Sequence, residues 1–233
     1  MPTDEKMLLI RNYDLWCNLS DQEYEELNIE HHYMEVPKGE YIYFEAYKHN
    51  KIYFLKEGYI RIGHIDEDGN EKVKEIIQKG ELFGQFTLER SNLHGEFAQA
   101  YKQNVSLCAF NIDDFEKLLR KRPELALSYS KQVGAKLRTI ENRLLNLLNK
   151  DVKTRLMHFF WQLVENKLGE NKPEGFCMPN YLKHEDIANL IGSSRQTVTT
   201  MINELEEDGI LSYNRQQICF LNVKNLQKRL SVN

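Results

Sequence analysis

Residues 185–205 read Glu185-Asp186-Ile187-Ala188-Asn189-Leu190-Ile191-Gly192-Ser193-Ser194-Arg195-Gln196-Thr197-Val198-Thr199-Thr200-Met201-Ile202-Asn203-Glu204-Leu205. Ile187, Leu190 and Ile191 share one helical face, and Ala188 is small where a second helix would cross closely. Gly192 can adopt a positive φ and end the first helix in a tight turn. Ser193 is expected to cap the next helix, with Gln196 three residues on completing a capping box. In that helix Val198, Met201, Ile202 and Leu205 form an inner face, and Arg195, Gln196, Thr199, Thr200 and Asn203 an outer one. The outer face is short and polar, with its cation at the N-terminal end, as suits a helix end entering the DNA major groove. Arg195 suits guanine O6 and N7, Gln196 suits adenine, and Thr199 or Thr200 suits a thymine methyl or a phosphate. An ordinary helical hairpin with a polar face would bury the same residues. The turn glycine, the cap and the polar face together favour DNA, with Ser193, Ser194, Arg195, Gln196, Thr199, Thr200 and Asn203 as the contacting set.

Downstream, Leu211–Tyr213 and Ile218–Leu221 flank Asn214-Arg215-Gln216-Gln217, a small hairpin or wing whose Arg215 can touch phosphate. Upstream, the chain reads as helical from about Asp113 to Asn149, broken at Pro123, and again over Val152–Lys167. Val133, Leu137, Ile140, Leu144 and Leu147 are spaced 4, 3, 4, 3, an a/d seam that predicts pairing with a second copy of the helix. The alternative is one long helix lying on its own domain.

Residues 31–112 have another texture. Runs at Glu40–Phe44, Lys51–Leu55, Tyr59–Ile65, Lys72–Ile77, Ala98–Tyr101 and Ser106–Ile112 are separated by Lys38-Gly39, Glu57-Gly58, Asp68-Gly69-Asn70 and Lys79-Gly80. Short strands at even spacing predict an all-β sandwich or barrel. Residues 14–28 suggest short helices, with Ser20 and Glu23 as a capping box.

The 233 residues allow one large or two ordinary domains. The formal net charge is −4, and acids and bases roughly balance over residues 151–233, so the acidic excess lies N-terminally. DNA binding needs only a local basic or neutral face. The opening Met1-Pro2-Thr3-Asp4-Glu5-Lys6 lacks a signal pattern and no apolar run reaches membrane-span length, so a cytoplasmic protein with no membrane partner is expected. Cys17, Cys108, Cys177 and Cys219 lie far apart, without metal-ligand spacing, and are expected to be reduced, mostly buried thiols.

Gly80-Glu81-Leu82-Phe83-Gly84 and Ile191-Gly192-Ser193-Ser194-Arg195-Gln196-Thr197-Val198 carry a resemblance to the cyclic-AMP receptor protein/FNR (Crp-Fnr) family that spans essentially the whole chain. The resemblance implies an α+β fold. It would have a jelly-roll effector domain (1–120), a dimerising helix (121–150) and a winged helix-turn-helix (151–233), hinged at Asp151. It also implies a homodimer on a two-fold symmetric operator, with RNA polymerase as a further partner. The effector pocket would draw on Gly80, Glu81, Leu82, Phe83, Gly84, His94, Gly95, Leu137 and Ile140.

Departures from the family narrow the effector. Cyclic-AMP binders hold the phosphate with an Arg-Ser pair where this chain aligns His94-Gly95, which removes the bidentate partner. Ile140 stands where they use a hydroxyl residue, so cyclic AMP is not expected. Only Cys17 lies near the N-terminus, where FNR clusters its ligands, so an iron–sulfur cluster is not expected either. Gly84-Gln85-Phe86 lacks the Cys and His of the carbon-monoxide sensors, while haem sensing of the nitric-oxide type stays open. The recognition helix has Thr200 where cyclic-AMP proteins carry a second Arg, which predicts a different operator.

The expected function is a non-enzymatic, homodimeric DNA-binding transcription regulator responding to a small-molecule or redox signal in the barrel. The rivals are a haem or cyclic-nucleotide sensor of the same family, a protein-interaction module, and a cupin-type enzyme. The last needs clustered histidines and a carboxylate, and His31-His32, His49, His64 and His94 show no such arrangement.

Overall fold

A computed structural model describes residues 32–44, 50–85, 96–168 and 175–231. The Ser20 capping box, Cys17, His94 and Gly95 lie outside the described residues. By contacts the chain divides into two compact units, Met1–Leu137 and Arg138–Asn233.

In the first unit the strands are β1 (His32–Val36), β2 (Tyr41–Tyr43), β3 (Lys51–Ile65), β4 (Glu71–Ile77), β5 (Leu82–Gly84) and β6 (Glu96–Asn111). β3 and β6 are long antiparallel partners, from Lys51↔Asn111 to His64↔Glu96. Four predicted strands are therefore two. The Glu57-Gly58 break is a register shift inside β3, with Gly58 at φ +93°. A Cβ on Gly58 would lie 2.7 Å from Val105 Cγ1, so this crossing of β3 and β6 needs glycine.

The shift divides the sheet into two halves. Lys51–Leu55 lies between β6 and β5, and Ile60–Ile65 between β6 and β4. Inward residues of both halves form one core that includes Tyr53, Leu55, Ile60, Ile62, Ile77, Phe83, Ala98 and Leu107. The opposite face of the first half, Ile52, Phe54, Cys108 and Phe110, packs under α1 (Ile112–Lys121) and the start of α2 (Pro123–Asn149) through Phe115, Leu118, Leu125 and Tyr129. That is why Ile52–Leu55 is buried without alternation. Pro123 opens α2, where its missing N–H costs nothing.

The second unit holds the end of α2, α3 (Val152–Leu168), β7 (Phe176–Pro179), α4 (His184–Ile191), α5 (Arg195–Glu207), β8 (Leu211–Tyr213), β9 (Gln217–Phe220) and α6 (Val223–Ser231). Its sheet runs β7-β9-β8. Leu156, Phe160 and Val164 of α3 pack in its core, with Phe160 edge-on to Phe220 at 5.9 Å. β7 and α6 carried no clear sequence signal, yet β7 supplies Met178, and α6 Val223 and Leu226, to this core.

One expectation needs correction. Cys177 and Cys219 are not separate thiols. They face each other across β7 and β9, Cα atoms 4.0 Å apart, and form a disulfide. Cys108 is buried and keeps its thiol. The a/d seam of α2 also makes contacts within the chain at its two ends. Val133 packs on the core beneath α1, and Leu147 meets the helix-turn-helix at Gly192. Leu137, Ile140 and Leu144 remain exposed, at 55, 57 and 54%, joined by Leu145 and Leu148.

Candidate nucleic-acid interface

α4 and α5 form the helix-turn-helix. The buried Asp186 carboxylate accepts from the Lys183 N–H at the start of α4, satisfying a donor that the helix leaves open. Gly192 ends α4 in the left-handed region, φ +65°. Its N–H donates to Asn189 O, and the Ser193 N–H to Ala188 O. These two bonds make a Schellman closure, so Ser193 belongs to the end of α4. The predicted cap therefore moves by one residue. Ser194, extended at φ −93°, caps α5, with its Oγ accepting from the Thr197 N–H at 3.1 Å.

α5 buries Val198, Ile202 and Leu205, with Met201 half-buried. Arg195, Gln196, Thr200 and Asn203 are exposed on the opposite side. Thr199 departs from that row. It is half-buried, its Oγ1 donates to Arg195 O and lies 2.8 Å from His184 Nδ1. His184 stacks obliquely on Tyr213 at 4.9 Å. Burial, and then the Arg195 guanidinium, hold its imidazole below the usual range. Burial likewise pushes the Tyr213 hydroxyl up to about 12, and that hydroxyl donates to Leu182 O.

The wing follows. Asn214 Oδ1 accepts from the N–H groups of Gln216 and Gln217, turning the chain around an exposed Arg215. Asn180, next after β7, donates its side-chain amide to Asn214 O and its backbone N–H to Gln216 O. Glu206 of α5 accepts from the Tyr213 N–H.

Behind α5, Arg155 of α3 donates to Leu147 O and Gly192 O, and Arg143 donates to Asn189 O. Asp151 caps α3, accepting from the Thr154 N–H and hydroxyl, and those bonds hold its carboxyl below the usual range. These contacts tie the last turns of α2 to the helix-turn-helix.

In the first unit the expected effector residues separate. Phe83 faces the inner core, and Leu82 faces α1 and α2. Gly80 makes a turn at φ +88°, and exposed Glu81 accepts from the Gln78 N–H across it. Gly84, at φ +92°, lets β5 approach Lys51 O of β3. Leu137 and Ile140 of α2 are exposed.

Other polar residues of this unit pair with one another. Tyr43 OH donates to the buried Glu96 at 2.6 Å, and Lys74 pairs with the same carboxylate. Lys136 of α2 reaches Glu75 of β4 at 2.5 Å. Tyr43, Tyr53 and Phe83 stack in a row, with Tyr43 and Tyr53 centroids 5.8 Å apart and Tyr53 and Phe83 4.9 Å apart. Burial raises the Tyr43 hydroxyl above its ordinary value and takes Tyr53 to about 12. The Lys136–Glu75 pair joins residues 61 apart in sequence, and nothing in the local sequence marks it. Among the described residues no three His, Cys, Asp or Glu side chains gather to hold a metal, and no helix is long and apolar enough to cross a membrane.

Comparisons with known proteins follow the same division. Residues 33–122 match the cyclic nucleotide-binding domain, and residues 154–229 match the Crp-like helix-turn-helix domain. The global nitrogen regulator of Synechococcus elongatus is 26% identical over 198 residues, 84% of this chain and 89% of that protein. The anaerobic regulatory protein of Bacillus subtilis is 24% identical over 178 residues, 76% and 74% of the two chains. Among solved structures, a CooA mutant from Carboxydothermus hydrogenoformans has a TM-score of 0.75 at 23% identity, covering 96% of this chain and 98% of that one. FixK2 from Bradyrhizobium japonicum has a TM-score of 0.72 at 22% identity, covering 86% and 97%.

Proposed function

The chain belongs to the Crp-Fnr family of DNA-binding transcription regulators, and we propose that it works as a homodimer whose two α5 helices enter successive major grooves of a two-fold symmetric operator. The observation that carries this reading is α5 itself. Its N-terminus, capped by Ser194, presents Arg195, Gln196, Thr200 and Asn203 on the side opposite buried Val198, Ile202 and Leu205. Arg195 reads a guanine and Gln196 an adenine, Thr200 and Asn203 reach neighbouring bases or phosphates, and Arg215 steadies the wing on the backbone. Thr199, bonded to Arg195 O and beside His184, helps to position the helix. The exposed Leu137, Ile140, Leu144 and Leu148 supply the contact with a second α2. Selection from a randomised duplex pool tests the reading, and it predicts an inverted repeat.

The first unit is the sensor, and its signal reaches α2 through Lys136 and the residues packed under α1. The protein acts in the cytoplasm, contacts RNA polymerase when bound, and catalyses no reaction. Cyclic AMP is not its signal. Among the described residues Lys74 and Lys136 are already paired with Glu96 and Glu75, and a cyclic phosphate beside those carboxylates would need a cation of its own.

A further inference from the structure

We propose that Cys177 and Cys219 form a reversible thiol–disulfide site, through which dithiol reductants loosen the wing and weaken DNA binding. The proposal rests on α5 and the wing being the DNA-reading elements.

The bond encloses the whole reading apparatus. Its two cysteines are 42 residues apart in sequence, and α4, α5, β8 and the wing lie between them. Such a closure constrains the unfolded chain more as the loop lengthens. In the fold it fastens an edge. Among the described residues β7 is bonded to the sheet through β9 alone, over Phe176↔Phe220 to Pro179↔Gln217. Met178 in the core and Phe176 stacked on Phe220 also hold it.

β7 then leads directly to the wing and to α4. Asn180 makes two hydrogen bonds to the wing tip, at 2.6 Å to Asn214 O and 2.8 Å to Gln216 O, on either side of Arg215. Its own Oδ1 accepts from the Leu182 N–H, just before α4 begins. Releasing β7 therefore frees the residue that sets both the wing tip and the entry to the helix-turn-helix.

The two sulfurs differ in access. Cys177 is exposed, whereas Cys219 is buried at 8%. One thiolate of the dithiol attacks Cys177 Sγ and breaks the S–S bond, and Cys219 leaves as a thiolate that takes up a proton. The reductant's second thiolate then attacks the mixed disulfide and releases Cys177, which is protonated in turn. Two electrons and two protons pass to the protein, and the reductant departs as its own disulfide. Oxidation by a disulfide of the same class reverses each step.

The test uses the full chain purified without reductant and equilibrated with dithiothreitol in its reduced or oxidised form. Differential alkylation with mass spectrometry should show Cys177 and Cys219 exchanging together while Cys108 stays protected. Reduction should speed amide exchange over residues 176–180 and 214–218 by roughly 10-fold or more. It should also weaken binding to a duplex selected by the oxidised protein by roughly 10-fold. C177S/C219S should behave as the reduced protein in either buffer, while C108S should still respond. Equal exchange and equal affinity in the two buffers, or full alkylation of Cys177 in protein never exposed to reductant, would overturn the proposal. Failure of both forms to select any duplex would instead sink the DNA-reading assignment, and the exchange data would still judge the switch.

Discussion

Ser193 and Ser194 are adjacent, yet only Ser194 caps α5. The Ser193 N–H closes α4 onto Ala188 O, which leaves the next residue to satisfy the first turn of α5. Ser194→Ala should therefore destabilise the winged helix by about 1 kcal/mol, whereas Ser193→Ala should change it by less than about half that. Chemical denaturation of the two variants checks the assignment, and equal losses would contradict it. His184 gives a second residue-scale expectation. Its folded-state pKa lies below the ordinary 6.5 because of burial and Arg195. Below that ordinary value the unfolded chain binds the proton more readily than the fold does. Stability is thus intact above pH 6.5 and falls as the pH drops towards the depressed folded value. His158, held low by burial and Lys150, acts in the same direction. His184→Gln should lessen the loss between about pH 7.5 and pH 5.5 without removing it, and an unchanged loss in the denaturation midpoints would count against the account.

At the scale of elements, α2 has two kinds of apolar residue. Leu125, Tyr129 and Val133 pack within the first unit and Leu147 against Gly192, whereas Leu137, Ile140, Leu144 and Leu148 are exposed. Leu137→Glu with Leu144→Glu should leave each chain folded and yield monomers in sedimentation velocity, with operator affinity lost because two half-sites are no longer engaged together. A wild-type chain that is monomeric at micromolar concentration, or a double variant still dimeric, would remove the dimer from the account. The same helix shows what sequence could and could not give. A period of 3.5 located the stripe, but which of its ends a domain covers depends on tertiary neighbours. The helix-turn-helix was readable because its buried and exposed residues alternate within a few turns. The strands were harder. Gly58 reads locally as a turn, and only the pairing of β3 with β6 makes it a bulge. The Cys177–Cys219 pair and the Lys136–Glu75 pair depend on register and long-range packing, which spacing along the chain does not encode.

On the scale of the whole molecule, α2 is one continuous helix whose residues belong to both units. The sensing unit keeps the architecture of the cyclic nucleotide-binding domain, but it carries Glu75, Glu96 and the Tyr43, Tyr53 and Phe83 row. Titration calorimetry with cyclic AMP should therefore give no binding in the micromolar range, and operator affinity should not change in its presence. Tight binding coupled to a gain in operator affinity would show that a cation outside the described residues completes the phosphate site.

The central claim is that α5 reads DNA with Arg195 at its tip. Its most direct test is selection of duplexes from a randomised pool by the wild-type chain and by Arg195→Ala, followed by affinity measurements on the selected sequence. The account predicts that the wild type enriches an inverted repeat with a fixed guanine in each half-site. It predicts that Arg195→Ala relaxes preference at that one base pair and binds more weakly by about 1–3 kcal/mol per half-site. Enrichment of no sequence by the wild type, or an unchanged preference and affinity in the variant, would contradict it.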